Sequence, residues 1–553
     1  MRKFRVFTAV AAAFVLSATA FAENREQNDR QNGYVTGSFE TNTNVYQNDQ
    51  KTLATVPEGY FGSNNYLKVD YYNQKFSAGV QLEAYAPALV GYPGHLEKAA
   101  LTNYYVAWTD DDFSVTAGTF YDQFGSGLLF RSWEDRSLGF NNSIMGARVA
   151  YQYKDIVSAK ALWGMPRFGM TFSETQVRGA DASFAISNLI GWQSLYLAVE
   201  GSVLSRYEAI SASELAEGLS PNTNGYSARV NLESDGFYFR GEYVDAGKRT
   251  YKNPEYHLDD YANEFIQKKA NAQLIETGYT GKGLGVSLSL RRLEWMNSYI
   301  LAPEPGKTAV YADVNMLNYV PALCTQYTYM LTTLNPYSAF LGQMEANGYT
   351  NSGEMGGQLD IFYNFRRGTL LGGKRGMKVH ANFSTYYNLA QEGSFTPDRM
   401  LFRDLSIDVE KQFTKKFKGL FMWSMQEWNK SQGANATTYL SNIFVADLLY
   451  KFTPSLSTRL ELQYLTTYED QKDWMAALVE VNFAPSWSIY ASDMYNHGGT
   501  GLNYYNAGFA YTKSRTRVAM SYGRYKAGKL CSGGVCRSIP AYTGFNLSVT
   551  TSF

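Results

Sequence analysis

The segment Gln123-Phe-Gly-Ser-Gly-Leu-Leu-Phe-Arg-Ser-Trp-Glu-Asp-Arg-Ser-Leu-Gly-Phe140 crowds Arg131, Glu134, Asp135 and Arg136 into six positions, with Trp133 among them. Adjacent carboxylates bracketed by guanidiniums offer three kinds of chemistry: acid–base hydrolysis, an anion or carboxylate clamp, or a charge lock that fixes a loop. Other reactive residues are sparse. The four histidines, His95, His257, His380 and His497, form neither an H-x-x-H nor an H-E-x-x-H pattern, so no metal site is expected. No G-x-S-x-G elbow occurs. No catalytic residue, cofactor site or enzymatic activity is therefore expected. A histidine of an outer loop paired with a serine or aspartates is the weakest of the readings. Cys531 and Cys536, in Cys-Ser-Gly-Gly-Val-Cys, are expected to form a small disulfide in an oxidising compartment, with reduced thiols or a soft-metal pair as alternatives. Cys324 is left over and is expected inside a loop.

What these residues do depends on the elements that carry them. Arg2, Lys3 and Arg5 precede an apolar run, Val6–Leu16, and small residues Ala20 and Ala22 follow. This predicts a secretory signal peptide over residues 1–22, cleaved near Ala22, and a polar lead-in over 23–32. Removing those three cations leaves 47 Lys and Arg against 50 acids, a net charge of about −3. Nucleic acid is not an expected partner, because phosphate binding needs a cationic surplus. No later run approaches the length of a membrane-spanning helix. Yet 16% of residues are aromatic and mean hydropathy is only −0.32. Many aromatics at modest hydropathy suit a membrane β-barrel, in which alternate residues meet lipid and aromatic girdles mark the interfaces.

Alternation supports this. Tyr226, Ala228, Val230 and Leu232 share one face, and Ser227, Arg229, Asn231 and Glu233 the other. Phe237, Phe239 and Tyr243 oppose Tyr238, Arg240 and Glu242; Met377, Val379, Ala381 and Phe383 oppose Lys378, His380, Asn382 and Ser384. Leu460, Leu462 and Tyr464 oppose Arg459, Glu461 and Gln463. The polar sets nominate Arg229, Glu233, Arg240, Glu242, Lys378, His380, Arg459 and Glu461 as lumen-facing.

Short turns, such as Asn73–Lys75, Ser234–Asp235 and Lys513–Ser514, alternate with long segments along the chain. About eleven short and twelve long connections predict 24 strands, with 22–26 as the range, in one antiparallel barrel over residues 33–553. Short turns would face the periplasm and long loops the outside. The final strand alternates Phe545, Leu547, Val549 and Thr551 up to Phe553, which resembles the C-terminal signal read by the barrel-assembly machinery. Residues 257–270 read as a short helix within an outer loop.

The opening segment then falls in the outer loop between strands 5 and 6, roughly 122–145. Leu128, Leu129, Phe130 and Trp133 would hydrate poorly outside, so the loop is expected to fold into the lumen, its arginines paired with Glu134, Asp135 or wall acids. Segment 295–354 carries Tyr319–Tyr329 and Asn335-Pro-Tyr337 and is expected to fold inward too. A lumen of 24 strands is too wide for wall side chains to fill.

Phe120–Gly146 resembles the hallmark segment of an outer-membrane family of Bacteroidota known only as a domain of unknown function. Val320-Pro-Ala-Leu, Asn335-Pro-Tyr and Gly353-Glu-Met-Gly-Gly-Gln-Leu-Asp360 are similar to it as well. The resemblance implies a Bacteroidota outer-membrane barrel, in contact with outer-membrane lipid, and supplies no substrate. The expected role is a channel or transport protein for a solute or polymer. The alternative is a non-conducting scaffold or accessory subunit for secretion, assembly or surface display, with a protein partner.

Overall fold

Period-two alternation has one consequence for backbone: every strand needs a partner on both edges, and in lipid no edge can be left open. The computed structural model describes residues 33–57, 59–208, 220–252, 265–298, 316–325, 328–339, 353–431, 433–469 and 471–553. The expected signal peptide, the lead-in, His257 and residues 257–264 of the expected helix lie outside them. The described residues form a closed antiparallel barrel of 24 strands. The first strand, Tyr34–Gln47, pairs with the second, Phe61–Asn73, and with the last, Tyr542–Ser552. Phe553 completes the seam: its backbone N–H and carbonyl both bond Gly37 at 2.9 Å.

The outer surface is apolar at mid-height, with Val199, Val203, Leu462, Ile489 and Met520 all exposed. Exposed aromatics flank the short turns, among them Trp108, Phe113, Tyr153, Phe237, Phe452 and Trp487. A second set, including Tyr226, Tyr243, Tyr464 and Phe545, lies toward the long loops. A closed sheet with an apolar belt, two aromatic borders and charges inside is a membrane barrel.

The turn rhythm appears where the sequence placed it. At Asn73–Phe76, Ser234–Phe237 and Lys513–Thr516 the tight reversals need left-handed backbone, supplied by Gln74 (φ 51°), Asp235 (φ 43°) and Ser514 (φ 53°). The short link around Gly191 contains a single helical turn, Ile186–Ile190.

The expected helix at 257–270 is corrected over its described part. Residues 265–270 open the strand Phe265–Gly281, which pairs with Phe237–Lys252 out to Lys252↔Phe265. The acid-then-base pattern that suited a helix dipole is outweighed by ladder pairing, which satisfies the backbone of both strands at once.

The core of this protein lies in the lumen. Loop residues Phe124, Leu129, Phe130, Leu138, Met296, Met316, Leu317 and Val320 are all 1% exposed or less and pack on wall residues Val177, Val244, Ala272 and Leu293.

Candidate functional site

Three inward segments build a layer across the loop end of the barrel. The first is residues 121–143, between the fifth strand, Phe113–Phe120, and the sixth, Ile144–Tyr153. Its tip turns at Gly125 (φ 52°), where a side chain would strike Arg229 and Glu242 of the wall. The Ser126 N–H donates to Glu242 at 3.2 Å. At its start, Asp122 accepts from Arg148 at 2.5 Å and from Lys160 at 2.7 Å, both on the wall.

The second segment is 316–339. It runs beside the first: Arg131 N–H bonds the Leu317 carbonyl and Tyr319 N–H the Gly127 carbonyl, both at 2.9 Å. The Asn142 amide donates to the Met316 carbonyl at 2.5 Å. Farther on, Tyr329 and Leu331 pack on Met422, Ile443, Val445 and Trp474, on the wall opposite the first loop's contacts.

The third segment is the hairpin Gly528–Ser532 and Val535–Ile539, closed by the Cys531–Cys536 disulfide. Its Gly533 carbonyl accepts from Val320 N–H at 2.9 Å, and Gly533 sits against Tyr319 and Trp133. Three loops distant in sequence thus form one hydrogen-bonded body.

The four charges of the opening motif separate into distinct roles. Arg136 donates to Glu40 of the first strand at 2.8 Å and to Glu134 at 3.4 Å, and lies 4.4 Å from the Tyr66 ring centre. Burial alone would lower its pKa, but Glu134 and Glu40 reverse this and hold the guanidinium above its ordinary value. Glu134 also accepts from Gln81 at 3.1 Å. Asp135 makes no ion pair among the described residues; it caps a turn, accepting from the Ser137 N–H at 2.9 Å and from the Ser137 hydroxyl at 2.5 Å. Arg131 makes no ion pair among the described residues and instead stacks 3.8 Å from the Tyr319 ring centre. The expectation that both arginines find acids is therefore corrected for Arg131. Its aromatic neighbours offer a planar stacking partner that the chain brings from nearly 190 residues away.

Most of the nominated wall residues pair with groups on neighbouring wall strands. Arg229 bridges Asp181 at 2.5 Å and Glu200 at 2.8 Å. Glu233 and Arg240 pair at 3.0 Å near the turn end. Lys378 lies over the Phe362 ring. His380 sits between Asp360 and Asp408, 2.6 Å from each. Arg459 pairs with Asp447 at 2.9 Å and Glu461 at 2.6 Å. Of the other histidines, His95 packs against Phe168 and His497 stacks on Tyr464.

Two tight locks were not foreseen. Arg167 grips Glu83 with two bonds, 2.7 and 2.8 Å, and both side chains are 2% exposed. Arg291 (1% exposed) pairs with Glu354 (2%) at 2.8 Å and donates to the Pro321 carbonyl at 2.5 Å; the Tyr337 hydroxyl also donates to Glu354. This second lock holds segment 316–339 to the wall at two points, Pro321 and Tyr337.

Over its whole length, residues 1–553, the sequence matches the model of one family, described as a family of unknown function (DUF6029). The chain belongs to that family. No curated protein matches it. Among solved structures it is similar to the siderophore receptor PirA from Pseudomonas aeruginosa, at 10% identity and TM-score 0.41, covering 96% of this chain and 81% of that one. It is also similar to the P pilus usher (PapC) translocation pore, at 9% identity and TM-score 0.44, covering 94% and 99%. A third is the copper transporter OprC, at 11% identity and TM-score 0.40, covering 96% and 81%.

Within this DUF6029 barrel, a local signal did exist for part of the missed lock. Glu354 lies in Gly353-Glu-Met-Gly-Gly and Tyr337 in Asn335-Pro-Tyr, both visible as motifs. Their meeting was not visible, because Tyr337 reaches Glu354 from an in-folded segment, and a contact between a loop and the wall leaves no spacing in the sequence.

Proposed function

We propose that this protein is an outer-membrane transport barrel for a solute or polymer, whose passage is closed at the loop end by the three in-folded segments. In this reading the chain is exported by its signal peptide, cleaved near Ala22, and inserted by the barrel-assembly machinery into a Bacteroidota outer membrane. The long loops then face outward, and no bond is made or broken.

One observation carries the reading. Charged pairs inside the barrel remain half-exposed toward the turn end: Arg240 and Glu233 at 54% and 44%, Lys418 and Glu410 at 38% each. Charges of both signs facing an open lumen are what a water-filled passage requires, and they favour neither anions nor cations strongly. The layer above is tied to the wall by side chains, so it can move without breaking a strand.

Uptake of neutral solutes of graded size into proteoliposomes tests this. Slow uptake that rises when the layer is unlocked by Glu354→Gln supports transport. A barrel that stays impermeable in both forms and co-purifies with a fixed partner supports the scaffold reading. That second reading is favoured by the dry apolar core of the layer, with Phe124, Leu129 and Phe130 fully buried.

A further inference from the structure

A chamber of about 230 Å³ lies inside the layer, between segment 316–339, the hairpin tip at Cys531–Gly534 and the wall residues Phe402, Asp404 and Gln426. Asp404 is 1% exposed and accepts one hydrogen bond, from Ser424 at 3.1 Å. It has no cationic partner among the described residues. No lysine or arginine lines the chamber among the described residues. Two further lining groups, the Ser338 and Thr325 hydroxyls, are buried without a hydrogen-bond partner among the described residues. Tyr319, Tyr337 and Phe402 supply aromatic surface to the same chamber.

A carboxylate removed from water without a counter-charge is costly, and so are orphaned hydroxyls. Water would satisfy the hydroxyls and leave the charge unmatched. A cation flanked by aromatic rings and hydroxyl acceptors would satisfy all three groups. The volume lies below the usual range for larger ligands, so the occupant is small.

We propose that this chamber is a binding site for a small organic ammonium ion, with Asp404 as its counter-charge and Ser338 and Thr325 as hydrogen-bond partners. The proposal deepens the transport reading, on which it rests only for the solute's route. Equilibrium binding is measured apart from permeation, so a barrel that binds and never conducts would keep the site and lose the transport reading.

Cys324, the one cysteine outside the disulfide, also lines the chamber and gives the readout. Its maleimide labelling rate is measured in the purified full-length barrel with methylammonium, ethanolammonium and phenethylammonium, and with neutral 2-phenylethanol as control. At least one ammonium ion is expected to slow labelling about tenfold at saturation, and the alcohol to leave it unchanged. Asp404→Asn is expected to weaken that protection at least about tenfold, each protection being taken relative to the same variant's own unliganded labelling rate. Protection by none of the three ions overturns the proposal, as does equal protection in Asp404→Asn. If Asp404→Asn loosens the layer by itself, Ser338→Ala and Thr325→Val replace it. Several-fold weaker protection in these supports the site, and unchanged protection overturns it.

Discussion

Glu354→Gln is the sharpest single perturbation of the layer. The substitution keeps the side chain's shape and removes its charge. Arg291 is then left as a guanidinium at 1% exposure, with its counter-charge 2.8 Å away abolished and only neutral acceptors, the Pro321 carbonyl and the new amide oxygen, in reach. Breaking one half of a pair this deeply buried costs about 3–5 kcal/mol. At about 1.4 kcal/mol per factor of ten, the released form of segment 316–339 should gain roughly a hundred- to a few thousand-fold in population. Cys324 reports it. In the docked segment, burial pushes the Cys324 thiol up to about 12, so little thiolate is available to react. Release returns it to ordinary reactivity. Maleimide labelling of Cys324 should therefore accelerate by about two orders of magnitude, while heat-modifiable mobility on gels shows the 24-strand wall intact. A labelling rate within about twofold of wild type, on an intact barrel, would refute the reasoning that this lock holds the segment down.

Other perturbations should rank below or beside it. Arg136→Ala removes pairs whose partners are each about a quarter exposed, Glu40 at 25% and Glu134 at 22%, so it should cost only about 1 kcal/mol and speed Cys324 labelling less than ~10-fold. Cys531→Ser together with Cys536→Ser opens the hairpin whose tip holds Val320 without leaving a second thiol, and should loosen the layer by roughly 2 kcal/mol, seen as faster Cys324 labelling without loss of heat-modifiability. Asp49 lies in the loop after the first strand; burial alone would raise its carboxyl, but hydrogen bonds from Arg524 and Thr543 hold it down to about 2. Because the folded value is depressed, the stabilisation is fully present above the ordinary value of 3.8 and is lost as pH falls toward 2. Thermal stability should therefore fall between those values in wild type, and Asp49→Asn should flatten that part of the profile.

The wall of this barrel is written locally in the chain. Tyr226–Glu233 alternates because the pleat alternates, and Ser234-Asp-Gly can turn because left-handed backbone is cheap there. Such signals need only neighbours in sequence, and they gave both the strand number and the place of the first inward loop. The apolar run Leu128–Phe130 also announced that its loop would not face water. Partnerships within the layer are another matter. Arg131 and Arg136 look equivalent in sequence, yet one meets Glu40 and the other Tyr319, because the partners arrive from opposite directions along the chain. Asp404 looks like any other polar residue of its alternating strand, and its isolation follows only from which residues the folded loops bring to the chamber. Residues 265–270 show the converse error, in which a plausible local charge pattern yielded to strand pairing.

The central claim is that a water-lined barrel is closed at one end by docked loops. Single-channel recording in planar bilayers tests it most directly, with wild type and Glu354→Gln compared at equal insertion. Rare, brief openings are expected for wild type and long-lived openings of one unit size for Glu354→Gln, which removes the counter-charge of Arg291 and the carboxylate that accepts from Tyr337. Permanently open wild-type channels, or a Glu354→Gln barrel that labels rapidly at Cys324 and still passes no current, would contradict it.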